Sequence, residues 1–246
     1  MKVKLLDYLL NPDEIFYFKD PNKIAWSFRH EFLLNNVNSR GSSFTAKHKV
    51  GPTSHLINSC IPLSYNDWVE YYFDNAIEEK AGGKKVTIES FFVLGMGLKD
   101  RMRKIFEDSM KEKMPDIPDH VFAAFVYNLT INRTWDGYIG ERKVEKLLEE
   151  HLKAKVIDSK EFEDKYLVDK HINIGSYKIG FQVKPDSFVN DYIIKTAHKV
   201  KHEAFENEYG GKVFFVYYNP QTGISNSTVL IQSVNVEIIR LTGLVK

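Results

Sequence analysis

Cysteine is almost missing from this sequence: Cys60 is the single one in 246 residues. One thiol cannot close an intramolecular disulfide and cannot build a zinc site from cysteines, and its isolation suits a reducing compartment. Long apolar runs are missing too, so no segment is expected to span a membrane. The opening MKVKLLDYLLNPDEIF lacks the apolar core of a secretory signal. These absences point to a cytoplasmic protein without a membrane partner. A strong charge of either sign is also absent. Lys and Arg number 34, Asp and Glu 33, and the formal net charge is +1. Any attraction to a polyanion must then be local.

One local imbalance stands out. From Phe32 to Asn66 there is no Asp or Glu, while Arg40, Lys47, His48, Lys49 and His55 occur among Ser, Thr and Asn. With Gly41, Gly51 and Pro52 this reads as an irregular, weakly basic segment over residues 32–66. Such side chains suit a phosphate backbone or base edges. Arg40, Lys47, His48 and Lys49 are the candidate nucleic-acid contacts. The alternative is a surface loop short of acids by chance.

The rest of the composition is that of a globular protein, 43% hydrophobic and 27% charged. The length allows one large domain or two modest ones. Its centre is the stretch 166–184, YLVDKHINIGSYKIGFQVK. Two alternating runs flank Gly175-Ser176, which fits a two-residue hairpin turn. Pairing by counting sets Ile174 against Tyr177, Ile172 against Ile179, Lys170 against Phe181 and Asp169 against Gln182. One face then carries Ile172, Ile174, Tyr177, Ile179, Phe181 and Val183, and is core. The other carries Asp169, His171, Asn173, Lys178, Gly180, Gln182 and Lys184.

Asp169, Gln182 and Lys184 are the chemical residues of that second face. A carboxylate and an amide oxygen suit a hard divalent cation. A neighbouring lysine can hold or deprotonate a water, and the three together can act on a phosphate ester. The plain alternative is a half-exposed hairpin that is polar outside because it meets water.

Elsewhere the pattern is mostly helical before residue 133. A short helix is expected around Leu5, Leu6, Leu9 and Leu10, and Trp26 and Phe28 read as core. Ser64 caps a helix with Asp67 near its start and Trp68, Tyr71 and Tyr72 at helical spacing. Thr87 opens a longer helix in which Gly95 and Gly97 imply a close neighbour or a kink. An apolar helix follows from Asp119. Gly137 and Gly140 mark a turn before a helix from about Ile139 to Leu152, with Val144, Leu147, Leu148 and Leu152 as its stripe. Glu141 falls near the centre of that stripe and needs a partner there, unless it only complements the helix dipole. Glu145 reads as a solvated residue. AKVID (154–158) reads as a strand. A helix over 190–208 has Ile193, Ile194, Ala197, Val200, Ala204 and Phe205 as its apolar face, with His198 and His202 around it. KVFFVYYN is a buried strand, and residues 227–245 read as one or two further strands.

The resulting order over residues 134–246 is helix, strand, strand, strand, helix, strand. The Asp169…Gln182-Val183-Lys184 spacing resembles the PD-(D/E)xK nuclease signature, with Val168 where Pro is frequent and Gln182 where an acid is usual. The run RTWDGYIGERKVEKLLEEHL ahead of Gln-x-Lys resembles the MjaI-type restriction endonucleases. The resemblance implies an α/β (α+β) restriction-endonuclease-like αβββαβ core behind a helical region at 1–133 that holds the basic segment. It implies a Mg²⁺-dependent type II enzyme acting on double-stranded DNA as a homodimer, cutting by in-line attack of water to leave 5′-phosphate and 3′-hydroxyl ends. CTAG is the site associated with MjaI-type enzymes. Carried over by position, Asp169 and Gln182 hold metal, Glu141 either ligates a second metal through water or orients Lys184, and Lys184 orients or activates water. Asp186 is a possible substitute for the missing acid. The other implied possibility is a structure-specific or catalytically inactive DNA-binding protein of the same fold, which Gln182 keeps open.

Overall fold

The computed structural model describes residues 15–17, 26–79, 82–190, 192–219 and 222–243. The helix expected around Leu5, Leu6, Leu9 and Leu10 lies outside them, as does the side chain of Trp26. The chain divides into two compact units, Met1–Gly137 and Tyr138–Lys246.

In the first unit, β1 (Ile15–Tyr17) and β2 (Trp26–Phe28) form an antiparallel pair. The segment expected to be irregular is instead helical: α1 spans Glu31–Ser39, α2 Lys47–Val50 and α3 Thr53–Cys60. Local polar groups order the chain between them. Asn38 accepts the Phe44 N–H at 2.9 Å, and Arg101 donates to the carbonyls of Arg40 (2.6 Å) and Ser42 (2.8 Å). Helix α4 (Tyr65–Asn75) begins with the expected Ser64 cap, closed reciprocally by Asp67. Trp68 and Tyr72 are fully buried, and each has a polar partner, the carbonyls of Ile131 and Val50. Helix α5 (Ile88–Lys104) meets α6 (Asp119–Tyr127) at Gly95, where a Cβ would stand 2.6 Å from the Ala123 nitrogen. A close helix neighbour is therefore the reason for that glycine.

A π-helical stretch, Asn128–Asn132, leads into α7 (Arg133–Leu152). The turn expected at Gly137 and Gly140 does not form; the helix runs through both. Gly140 is required by packing, since a Cβ there would lie 2.7 Å from the Tyr218 ring.

The second unit is built on a five-stranded sheet of order β3-β4-β5-β6-β7. These are Val156–Asp158, Lys170–Ile174, Tyr177–Pro185, Gly210–Asn219 and Gly223–Ile224. All neighbours are antiparallel except β5 and β6, which run parallel across the crossover helix α9 (Tyr192–Tyr209). The hairpin pairs as counted: Ile174 with Tyr177, Ile172 with Ile179, Lys170 with Phe181. Its first strand starts at Lys170 because the residues before it close a short helix, α8 (Lys160–Tyr166), on Leu167 at φ 58°.

Both sheet faces are covered. Val144 and Leu148 of α7 pack on Ile172, Ile179, Phe181 and Val216, together with Leu230 and Val234 of α10 (Ser227–Thr242). The region expected as terminal strands is thus a helix. On the other face, Phe162 and Tyr166 of α8 meet Val168 and Phe205. His171 and Gln182 are buried there, so this part of the hairpin's polar side does not face water, while Asn173 near the turn is exposed. The apolar face expected of α9 is rotated. Ile193, Ile194 and Ala197 have side chains outside the described residues, Val200 is 70% exposed and Ala204 is exposed. The inward stripe is His198, His202, Phe205 and Tyr209, at helical spacing.

Candidate active site

Asp169 stands just before β4 and is locked to β5 at both ends of the residue. Its N–H donates to the Phe181 carbonyl at 2.9 Å, and its Oδ2 accepts the Val183 N–H at 2.7 Å. The carboxylate is thereby fixed between Gln182 and Lys184 in sequence. Burial raises its pKa to about 6; the charge of Lys184 and the Val183 N–H pull the other way.

Glu141 is the third charge. It projects from α7, and burial, followed by the negative charge of Asp169, raises its pKa to about 7, with Lys170 opposing. The carboxyl on the buried stripe of the helix is therefore not a simple dipole partner. Two acids that resist ionising together are a fitting seat for a cation.

Glu145, expected in solvent, is half-exposed and paired to a buried cation. Lys170 is 4% exposed and donates to Glu145 at 3.2 Å and to Asp158. Those bonds tie the middle of α7 to β4 and β3. Since Glu141 sits one helical turn ahead of Glu145, the same ties set where Glu141 meets Asp169.

Gln182 is buried on the face covered by α9. Its side-chain oxygen lies 2.9 Å from Nδ1 of His198 and 3.1 Å from Nε2 of His202, while its amide nitrogen is buried without a hydrogen-bond partner. Both rings pack on Phe215. The pKa of His202 is pushed down to about 4 by burial, then by His198 and Lys184, against a hydrogen bond to the Leu167 backbone. The histidines were legible only as a pair four residues apart on one helix; nothing in the sequence indicated that Gln182 would meet them. Asp186 does not turn toward this group: its Oδ1 accepts from Ser225 Oγ at 2.5 Å.

Glu141, Asp169 and Lys184 thus form one electrostatic cluster, and Gln182 lies on the strand between Asp169's two anchor points. Hard oxygen ligands for a divalent ion would be Asp169, Glu141 and the Gln182 amide. Among the described residues no three His, Cys, Asp or Glu side chains group as a metal site, so in this set the amide oxygen would be the third protein oxygen.

The four basic candidates lie in the first unit. Lys47 pairs with Glu79 at 3.4 Å, and His48 lies 3.4 Å from Ser42 Oγ. Lys49 donates to the Ser43 carbonyl at 3.0 Å and stands 4.4 Å over the Phe44 ring. Arg40 is exposed. The structure adds Arg101, whose guanidinium lies 4.2 Å from the centre of the same ring; it is 61 residues from Arg40 in sequence, beyond any local pattern.

No helix among the described residues is long and apolar enough to cross a membrane. No curated protein and no solved structure matches the chain. The family model described as MjaI restriction endonuclease matches residues 31–234, an interval that holds Glu141, Asp169, Gln182 and Lys184 and most of both units, and the chain therefore belongs to the MjaI restriction endonuclease family.

Proposed function

We propose that this protein is a Mg²⁺-dependent, sequence-specific endonuclease that hydrolyses phosphodiester bonds in double-stranded DNA as a homodimer. The observation that carries this reading is the placement of Asp169. Its carboxylate is pinned to the Val183 N–H at 2.7 Å, with Lys184 and Glu141 as its charged neighbours.

Asp169 and the Gln182 oxygen hold the metal, and Glu141 completes the oxygen set from α7. Bound Mg²⁺ supplies Lewis acidity at the scissile phosphate. Lys184 orients the attacking water in line with the leaving oxygen and, after giving its own proton to solvent, takes up the proton of that water. Phosphorus–oxygen cleavage then leaves a 5′-phosphate and a 3′-hydroxyl. Arg40, Lys47, His48 and Lys49 contact the DNA from the first unit, with Arg101 organising the loop that carries them. A two-fold dimer matches the two-fold symmetry of a palindromic site. The second reading, an inactive or structure-specific DNA-binding protein, draws on one observation: an amide stands where an acid is usual, with two histidines against it.

Cleavage of supercoiled plasmid separates the two. The proposal expects linear product with Mg²⁺, none with EDTA, and none from Asp169→Asn at equal protein concentration. Cleavage by Asp169→Asn at the wild-type rate would refute the assignment.

A further inference from the structure

The chain between α1 and α2 is held from its carbonyl side by two cations. Arg101 of α5 donates to the carbonyls of Arg40 (2.6 Å) and Ser42 (2.8 Å), and at 3.4 Å to those of Val37 and Asn38. Lys49 donates to the carbonyls of Ser43 (3.0 Å) and Ser42 (3.4 Å). Both cations lie over the Phe44 ring, at 4.2 and 4.4 Å from its centre. Gly97 on α5 leaves room for that ring, since a Cβ there would stand 2.7 Å from it.

This arrangement decides where the N–H groups of the loop go. In a trans peptide the N–H points opposite to the C=O. The Arg40 carbonyl faces Arg101, so the Gly41 N–H faces away from it. The Ser42 carbonyl faces both cations, so the Ser43 N–H faces away from both. The N–H groups of Gly41, Ser42 and Ser43 have no acceptor among the described residues, and Gly41 and Ser42 are exposed. Gly41 has φ 76°, the left-handed step by which successive N–H groups form an anion-binding concavity. A cation on the carbonyl end of a peptide polarises it and strengthens its N–H as a donor. Neighbouring acids are taken up elsewhere: Asp100 accepts from Arg103 at 2.9 Å, and Glu79 pairs with Lys47 at 3.4 Å.

We propose that residues 41–43 are a main-chain phosphate site, in which the N–H groups of Gly41, Ser42 and Ser43 bind a phosphodiester of duplex DNA, with the charges of Arg101 and Lys49 behind the peptides and Arg40 beside them. The inference deepens the reading of this segment as a DNA contact and rests on it. Main-chain donors fix the register of a protein on the duplex and carry no sequence information. Lys49 and Arg101 give their hydrogen bonds to the loop, and act on the phosphate through their charge.

The donors are directly observable in the full-length chain without Mg²⁺, where the duplex stays intact. Amide ¹H–¹⁵N spectra are recorded with a short duplex and, separately, with inorganic phosphate. The Gly41, Ser42 and Ser43 resonances are expected to shift with the duplex, and less with phosphate alone. Silent resonances in the saturated duplex complex overturn the site, and a response to phosphate without one to the duplex overturns DNA as its ligand. Gly41→Pro gives an independent reading. It deletes one N–H and, with φ fixed near about −65°, cannot keep the left-handed step. It removes no charge, and a Cβ at 41 meets nothing within 4 Å. In gel shifts it is expected to bind the duplex about tenfold more weakly, with a salt dependence of log affinity shallower by about 0.9, the share of one phosphate. The loss is expected to persist when Arg40→Met is the background. Wild-type affinity in folded Gly41→Pro, or a loss that vanishes in that background, overturns the site. Wild-type protein that binds no duplex refutes the DNA reading itself; duplex binding with silent amides refutes the phosphate site alone.

Discussion

Lys170 Nζ lies 3.2 Å from Glu145 Oε2, joining the second strand of the five-stranded sheet to the helix that precedes it. The same ammonium reaches Asp158 on β3. Lys170 follows Asp169 in sequence and Glu145 follows Glu141 by one turn, so one buried cation sets the relation of the two acids of the site. Lys170→Met removes it. Its partners are partly exposed, with 36% and 62% of their side chains accessible, and regain water, so the cost lies below that of orphaning a fully buried charge. A loss of about 1–3 kcal/mol in urea unfolding is expected, with a fall in cleavage larger than the stability loss explains at a temperature where the variant is folded.

Gly140 sits beside Glu141 on α7. Alanine there would ordinarily strengthen a helix by about 0.5–1 kcal/mol. Here its methyl carbon would stand 2.7 Å from the buried Tyr218 ring. Gly140→Ala is therefore expected to destabilise by about 1–3 kcal/mol and to slow cleavage by displacing Glu141. Thermal unfolding with parallel rate measurement checks both; a rise in Tm would show that α7 shifts freely on β6.

Lys184→Ala is expected to slow the chemical step by about 10²–10⁴-fold, the range of general acid–base assistance, while leaving DNA binding within a few-fold. Single-turnover rates and gel-shift affinities on one duplex measure the two separately. Unchanged cleavage would remove Lys184 from the mechanism.

The acids also predict a pH dependence of stability. Glu141 holds its proton up to about pH 7 in the folded chain, against 4.5 as the ordinary value. Between those values the folded state binds more protons than the unfolded one, so stability falls as pH rises through that window. Glu141→Gln is expected to stabilise the metal-free protein at pH 8, by on the order of 2 kcal/mol, and to have no such effect at pH 4. Mg²⁺ should stabilise the wild type at pH 8 and the variant much less. Chemical denaturation at the two pH values, with and without Mg²⁺, tests the sign.

The hairpin was legible because its turn fixes the pairing and every later residue follows by counting; Ile172, Ile179 and Phe181 are all buried as that count requires. The β6 strand and the buried side of α7 were legible for the same kind of reason, a clear period. The C-terminal helix was not. Its stretch is rich in Val and Ile, and its buried positions are Leu230, Val234 and Glu237. A carboxylate on the inner face, bound by Arg240 and the Lys212 N–H, hides the helical period behind an apparent strand alternation. The pairing of Glu145 was missed for a related reason: its buried partner, Lys170, is 25 residues away. The polar face of the hairpin was assigned to the right residues, yet its cover by α9 depends on which side a crossover helix takes. Sequence alone did not carry that information, and so the two histidines at Gln182 went unseen.

The most direct test of the central claim is to digest a long, fully sequenced duplex with the purified protein, with Mg²⁺ and with EDTA, and to sequence the ends. Discrete fragments formed only with Mg²⁺, whose ends share one short palindrome, are the expected result. No cleavage with Mg²⁺ or Mn²⁺ by protein that still binds the duplex would contradict it and would mark Gln182 as the trace of a lost active site.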